Sequence, residues 1–201
     1  MNERDSERHT IPQPREPVIL ASRSPRRKEL MRQCGIPFSV FVPQIEEHFD
    51  TKLTMEKAIE KLAREKCESV KQLYPERTIV GADTVVVLGE KILGKPTDRD
   101  DAFEMLTLLS GKTHRVITGV CILSPGKDVV FHQTSAVRFH ALTSGEIREY
   151  IDSGEPMDKA GAYGIQGKGA LLIREIRGDF YSVMGLPVSR VYRELRDIAA
   201  L

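Results

Sequence analysis

The sequence predicts a mixed α/β fold, and three observations carry that reading. An apolar run, Val18–Ala21, leads straight into a helix-start signature. A long amphipathic stretch, Met55 to Leu73, is followed by the strongest strand signal in the chain, Thr78 to Leu88. Two further β-rich runs, Arg115 to Leu123 and Val129 to Phe139, precede a helical pattern that closes the chain. With 201 residues there is enough chain for one large domain or two small lobes around a real core.

Met1 to Pro17 is charged and proline-containing and reads as a flexible tail, which leaves 18–201 as a single domain. After the strand Val18–Ala21, Ser24 is a good N-cap and Pro25 suits the first helical position, where no N–H is needed. Leu30, Met31 and Cys34 give that helix an apolar stripe, and Gly35 followed by Pro37 stops it. The first turn carries Ser22, Ser24, Arg26 and Arg27. Free N–H groups and the helix dipole favour an anion there, and two guanidiniums add forked donors that match phosphate oxygens. An ordinary capped helix with a solvated basic turn is the plainer alternative. Yet two cations at a helix N-terminus oppose the dipole, and an anionic ligand is a natural reason for them.

Phe38 to Val42 reads as a short strand closed by Pro43. Glu46 and Glu47 follow it, and on this segment alone plain surface charge is the simpler account. In the helix Met55 to Leu73, Lys66 lies on the apolar side with Leu62 and Ala63. Such a lysine either snorkels its head to water or points into a cleft that holds an anion, and position favours neither.

In the strand Thr78 to Leu88, apolar residues flank Asp83 and Thr84 on both sides. An ionised Asp in such a run is costly unless paired or metal-bound, so Asp83 reads as functional. Gly89-Glu90 makes a hairpin turn to Lys91–Leu93. The run from Gly89 to Lys95 mimics a P-loop but places Pro96 where Ser or Thr is required, so only Lys95 is retained, as a phosphate ligand. Asp98 caps a helix ended by Gly111, and His114 at the next strand start reads as structural.

Thr143 with Glu146 forms a capping box. The glycine-rich stretch from Glu155 to Gly169 reads as a functional loop rather than a dinucleotide fingerprint. Within it, the Gln166 amide can donate and accept hydrogen bonds to a base. Ala170 to Ile176 and Phe180 to Met184 read as strands, and Pro187 opens the closing helix.

Composition narrows the classes. Net charge is +1, which argues against a nucleic-acid or membrane-surface partner. No apolar run reaches membrane-spanning length, and the start lacks a signal-peptide core. Cys34, Cys67 and Cys121 are odd in number and scattered, which suits reduced thiols in the cytoplasm.

Taken together, Leu20-Ala-Ser-Arg-Ser-Pro-Arg-Arg27, Gly81-Ala-Asp-Thr84, Gly94-Lys-Pro96, Leu109-Ser-Gly-Lys112 and the stretch Gly154 to Gly167 resemble the Maf family of nucleoside triphosphate pyrophosphatases. Gly178-Asp-Phe-Tyr181 and Val183-Met-Gly-Leu-Pro187 fit the same pattern. The resemblance implies a two-lobed α/β fold with an elongated mixed sheet, flanking helices and a cleft between the lobes. It implies cleavage of a nucleoside triphosphate to monophosphate and pyrophosphate with Mg²⁺ or Mn²⁺, in a homodimer. Asp83 would be the proton acceptor. Ser22, Arg26, Arg27, Lys66 and Lys95 would hold the triphosphate, and Glu47 would hold the metal with Asp83. Arg26, Thr84 and Gln166 resemble the family branch that prefers dTTP and UTP, with modified pyrimidine nucleotides as further candidates. The alternative is a nucleotide-binding regulator of cell division and septum formation.

Overall fold

Strand β3 (Ile79–Leu88) is the element on which the others are laid. The computed structural model describes residues 17–46, 48–50 and 52–199. Strands β1 (Val18–Ala21) and β2 (Phe38–Phe41) lie parallel beside β3. On the other side β5 (Thr113–Ser124), β6 (Lys127–Phe139) and β7 (Ile173–Arg177) continue the sheet antiparallel. The short β4 (Lys91–Leu93) returns by a hairpin onto β3. The result is an open, mixed seven-stranded sheet in the order β2-β1-β3-β5-β6-β7, with β4 on β3. The expected α/β class with a mixed sheet and flanking helices is what the chain adopts.

The register creates a gap. β1 pairs with β3 only as far as Ala21 opposite Gly81, and β4 joins β3 only from Leu93 opposite Val86. Between them, residues 82–85 of β3 are paired to β5 alone. This open stretch of edge holds Asp83 and Thr84. Alternation sends Asp83 to one face of the sheet and Thr84 to the other.

Among the described residues, six α-helices cover the sheet: α1 (Pro25–Gln33), α2 (Met55–Lys71), α3 (Arg99–Leu109), α4 (Ser144–Asp152), α5 (Phe180–Met184) and α6 (Val188–Ala199). One core cluster joins Leu20, Leu30, Val80, Val120, Leu186 and Val191, uniting β1, α1 and α6 with the central strands. A second joins Val86, Leu106, Val137, Phe139 and Ile147 under α3 and α4. Helix α2 lies on the opposite face, over Ile79, Cys121 and Ile117. It lies unusually close. A Cβ on Gly81 would stand 2.7 Å from Cys67 Sγ, and one on Gly119 would stand 2.5 Å from the Ile59 carbonyl oxygen. Glycine at both positions lets the helix backbone settle onto the strands.

Caps read from the sequence are present: Ser24 accepts from the Arg27 N–H, Asp98 from the Asp101 N–H, and Thr143 with Glu146 closes a full capping box. Three expectations are corrected. Phe180–Met184 is helix, not strand. Asp179 caps it through the Ser182 N–H at 2.7 Å, and Gly185, at φ 116°, ends it. Its Phe-Tyr-Ser-Val-Met composition favours a strand, but the cap decides locally. Residues 170–172 belong to a 3-10 turn, Gly167–Leu172, so β7 starts only at Ile173. The glycine-rich stretch also carries 3-10 turns at Glu155–Asp158 and Ala160–Ala162.

His114 is buried, as a structural histidine should be. Its Nε2 meets the Tyr163 hydroxyl at 2.7 Å, and its ring packs edge-on against Phe139 and Tyr163. Burial pushes its pKa down to about 4. The folded state therefore resists the proton that the unfolded chain accepts below about pH 6.5. The penalty is absent above that pH and grows as pH falls toward 4, where it reaches about 3 kcal/mol. His114→Phe lowers stability at pH 7 by orphaning the Tyr163 hydroxyl, but it removes this acid sensitivity. Denaturant titrations at pH 7, 5 and 4 should show the gap between variant and wild type shrinking. A constant gap excludes His114 as the source.

Candidate active site

A cleft of about 1060 Å³ opens over the gap in the sheet edge. Its lining includes Ser22, Arg26, Arg27, Lys66, Asp83, Thr84, Lys95 and Gln166. Residues spread from position 22 to position 166 are thus brought to one crevice. Glu47, expected to share a metal with Asp83, lies outside the described residues.

Asp83 lies at the edge gap with its side chain 16% exposed. Its Oδ1 accepts the Thr84 N–H at 2.9 Å, where no neighbouring strand supplies a partner, and lies 3.2 Å from Lys66 Nζ. The cost of a carboxylate in an apolar strand is thus offset by an ammonium and a backbone donor. Lys66 is buried, so of its two readings the structure selects the inward one. The close approach of α2 over Gly81 and Gly119 is what delivers its head group.

The start of α1 forms a second wall. Ser22 Oγ accepts the Ser24 N–H and one N–H of Arg27, both at 3.2 Å. Arg27 is buried rather than solvated. It also donates from Nε to the Gly185 carbonyl at 2.7 Å and from Nη2 to Thr84 Oγ1 at 3.0 Å. Arg26 is more exposed, and its Nη1 lies 3.5 Å from Asp158 Oδ2 across the cleft. Lys95, after β4, and Gln166, before the 3-10 turn Gly167–Leu172, are exposed at the rim.

Several residues not singled out in the sequence also reach the cleft or its support. Asp158 sits between Arg26 and Lys159, whose Nζ is 2.6 Å from Asp158 Oδ1. These cations hold the Asp158 carboxyl below its ordinary range against the effect of burial. The Glu155 carboxylate accepts the N–H groups of Lys168 and Gly169, which ties the glycine-rich stretch together. Thr118 lies hidden in the apolar run of β5, a signal of the kind that marks Asp83. Val42, Pro43, Ile45 and Phe49 add an apolar side to the cleft.

Such an arrangement can seat a polyanion, with Arg26 and Arg27 on α1, Lys66 on α2 and Lys95 after β4 facing a lining that also carries the carboxylates Asp83, Glu155 and Asp158. For a hard divalent cation the donor chemistry fits, because Asp83 offers carboxylate oxygen at the cleft and phosphates offer more. Among the described residues, no group of three or more His, Cys, Asp or Glu side chains converges to cage a metal. None of the described helices is long and apolar enough to cross a membrane.

Residues 17–198 match the family model described as Maf-like protein. The chain is 48% identical over 180 residues to proteins named dTTP/UTP pyrophosphatase from Bacillus cereus (strain G9842) and Bacillus anthracis, covering 90% of this chain and 94% of each relative. The relative of that name from Bacillus thuringiensis subsp. konkukian (strain 97-27) matches at the same identity and coverage. With the family model covering nearly its whole length and relatives 48% identical over 90% of it, the chain belongs to the Maf family.

Proposed function

We propose that this chain hydrolyses dTTP and UTP to the nucleoside monophosphate and pyrophosphate. The observation that carries the reading is the meeting of Asp83 with Lys66, Arg26, Arg27 and Lys95 at one cleft. The names of the relatives supply the nucleotide class.

In this reading water attacks the α-phosphorus. The new P–O bond forms as the bond to the bridging oxygen of the β-phosphate breaks, and pyrophosphate departs. Asp83 takes the proton from the attacking water. Lys66, Arg26, Arg27 and Lys95 offset charge that moves toward the leaving group, and Ser22 holds the α1 wall in place. Gln166, at the rim, meets the base with an amide that both donates and accepts. Asp83 and Glu47 would hold Mg²⁺ or Mn²⁺ together with phosphate oxygens, and the bound cation would polarise the α-phosphate. Two copies pair in the cytoplasm in the same reading.

A nucleotide panel scored for released pyrophosphate tests it. With Mg²⁺, dTTP and UTP should exceed dCTP and GTP in kcat/KM by about tenfold or more. Chelation should abolish turnover, and Mg²⁺ or Mn²⁺ should restore it. Binding of dTTP without pyrophosphate release in the presence of metal would overturn the assignment.

A further inference from the structure

We propose that Thr118 is a positioning residue for this reaction, its hydroxyl setting the polarity of Thr84 and through it the seat of the Arg27 guanidinium. The inference rests on the reading that Arg27 grips the triphosphate.

Thr118 is fully buried on β5, directly opposite Thr84 of β3. Its Oγ1 lies 2.7 Å from the Ser182 carbonyl oxygen and 2.8 Å from Thr84 Oγ1. A hydroxyl has one proton, and a carbonyl oxygen can only accept. The Thr118 proton therefore goes to Ser182. The contact with Thr84 must then use the Thr84 proton. That leaves Thr84 only lone pairs to offer elsewhere, and Arg27 Nη2 donates to it at 3.0 Å. The chain has one direction: Arg27 to Thr84, Thr84 to Thr118, Thr118 to the Ser182 carbonyl. Turning the middle link round would spend the Thr118 proton on Thr84 and leave the Ser182 carbonyl facing a lone pair, acceptor against acceptor.

A second arm ends at the same place. Ser182 lies in α5, and the Gly185 carbonyl at the end of α5 accepts from Arg27 Nε at 2.7 Å. The Ser182 carbonyl also accepts the Gly185 N–H at 3.0 Å, so α5 keeps that bond when Thr118 is altered. Valine at position 118 keeps the shape but offers nothing to Thr84. The Thr84 proton is then released to turn toward Arg27, and the contact that aims the guanidinium is lost.

The test uses Thr118→Val, Thr118→Ser, Thr84→Val and the double variant, with dTTP and Mg²⁺. Thr118→Val should lower kcat/KM by about tenfold, mostly in kcat, the scale of one lost buried hydrogen bond. Thr118→Ser should recover to within about twofold, because the hydroxyl is back. On the Thr84→Val background, the valine at 118 should cost less than about threefold, since the intermediary is already gone. Where Thr118→Val fails to fold, Thr118→Ala replaces it. Wild-type kinetics in the hydroxyl-less variant, failure of serine to rescue, or a full tenfold loss on the Thr84→Val background would each overturn the proposal. Arg27→Lys in the same assay separates the two readings. Full activity there removes Arg27 from triphosphate binding, whatever Thr118 does.

Discussion

Asp83→Asn should leave the protein folded and able to bind dTTP while pyrophosphate release falls by about 1000-fold or more. The substitution changes little in size. The amide oxygen can still accept the Thr84 N–H and the Lys66 ammonium, which now meet at Asp83 Oδ1. What disappears is the negative charge. An amide cannot take the proton of an attacking water, and it is a poor ligand for a hard cation. General-base removal alone costs about 100- to 10,000-fold, and loss of a metal ligand adds to it. Calorimetric titration with dTTP and a thermal melt separate this outcome from misfolding. Turnover within about tenfold of wild type would show that another group accepts the proton.

Asp83 stands out in the amino-acid sequence and its partner does not, because the two signals have different ranges along the chain. A charge inside Ile79–Leu88 is a local anomaly, visible because neighbours on both sides are apolar. The start of α1 is legible for the same reason: Ser24 and Pro25 carry their instructions within one turn. Lys66 is different. Whether it snorkels or turns inward depends on how α2 sits on the sheet. That height is set by the missing side chains of Gly81 and Gly119, distant in sequence from the lysine. The burial of Arg27 is hidden likewise, because Gly185 and Thr84 reach it only through the fold. In α5 the local composition points the wrong way. Five residues are too few to show a helical period. Their conformation is fixed by Asp179 and by Ser182 Oγ, which bonds the Asp179 carbonyl and meets Ser135 Oγ.

Lys66→Met should damage both catalysis and stability, and a double variant tells the two apart. Methionine keeps the length and packing of the lysine stem beneath Asp83 but removes the ammonium. Without a positive group facing the leaving pyrophosphate, kcat should fall by about 100-fold, the scale seen when one donor to developing charge is deleted. The Asp83 carboxylate also loses the cation 3.2 Å away while remaining mostly enclosed. Stability should drop by about 1–3 kcal/mol, the cost of leaving a buried polar group without its partner. Adding Asp83→Asn to Lys66→Met removes the stranded charge as well, so the double variant should be more stable than Lys66→Met alone. Urea unfolding of wild type, both single variants and the double variant supplies the cycle. The catalytic cycle runs the other way, because with Asp83 already neutral there is little activity left for Lys66 to support. Stability recovered with activity still absent identifies one ion pair serving two ends. In the resting fold the ammonium makes the carboxylate tolerable in its strand, and during turnover the same ammonium faces the phosphates. If Lys66→Met kept wild-type stability and kcat, the pair would serve neither end.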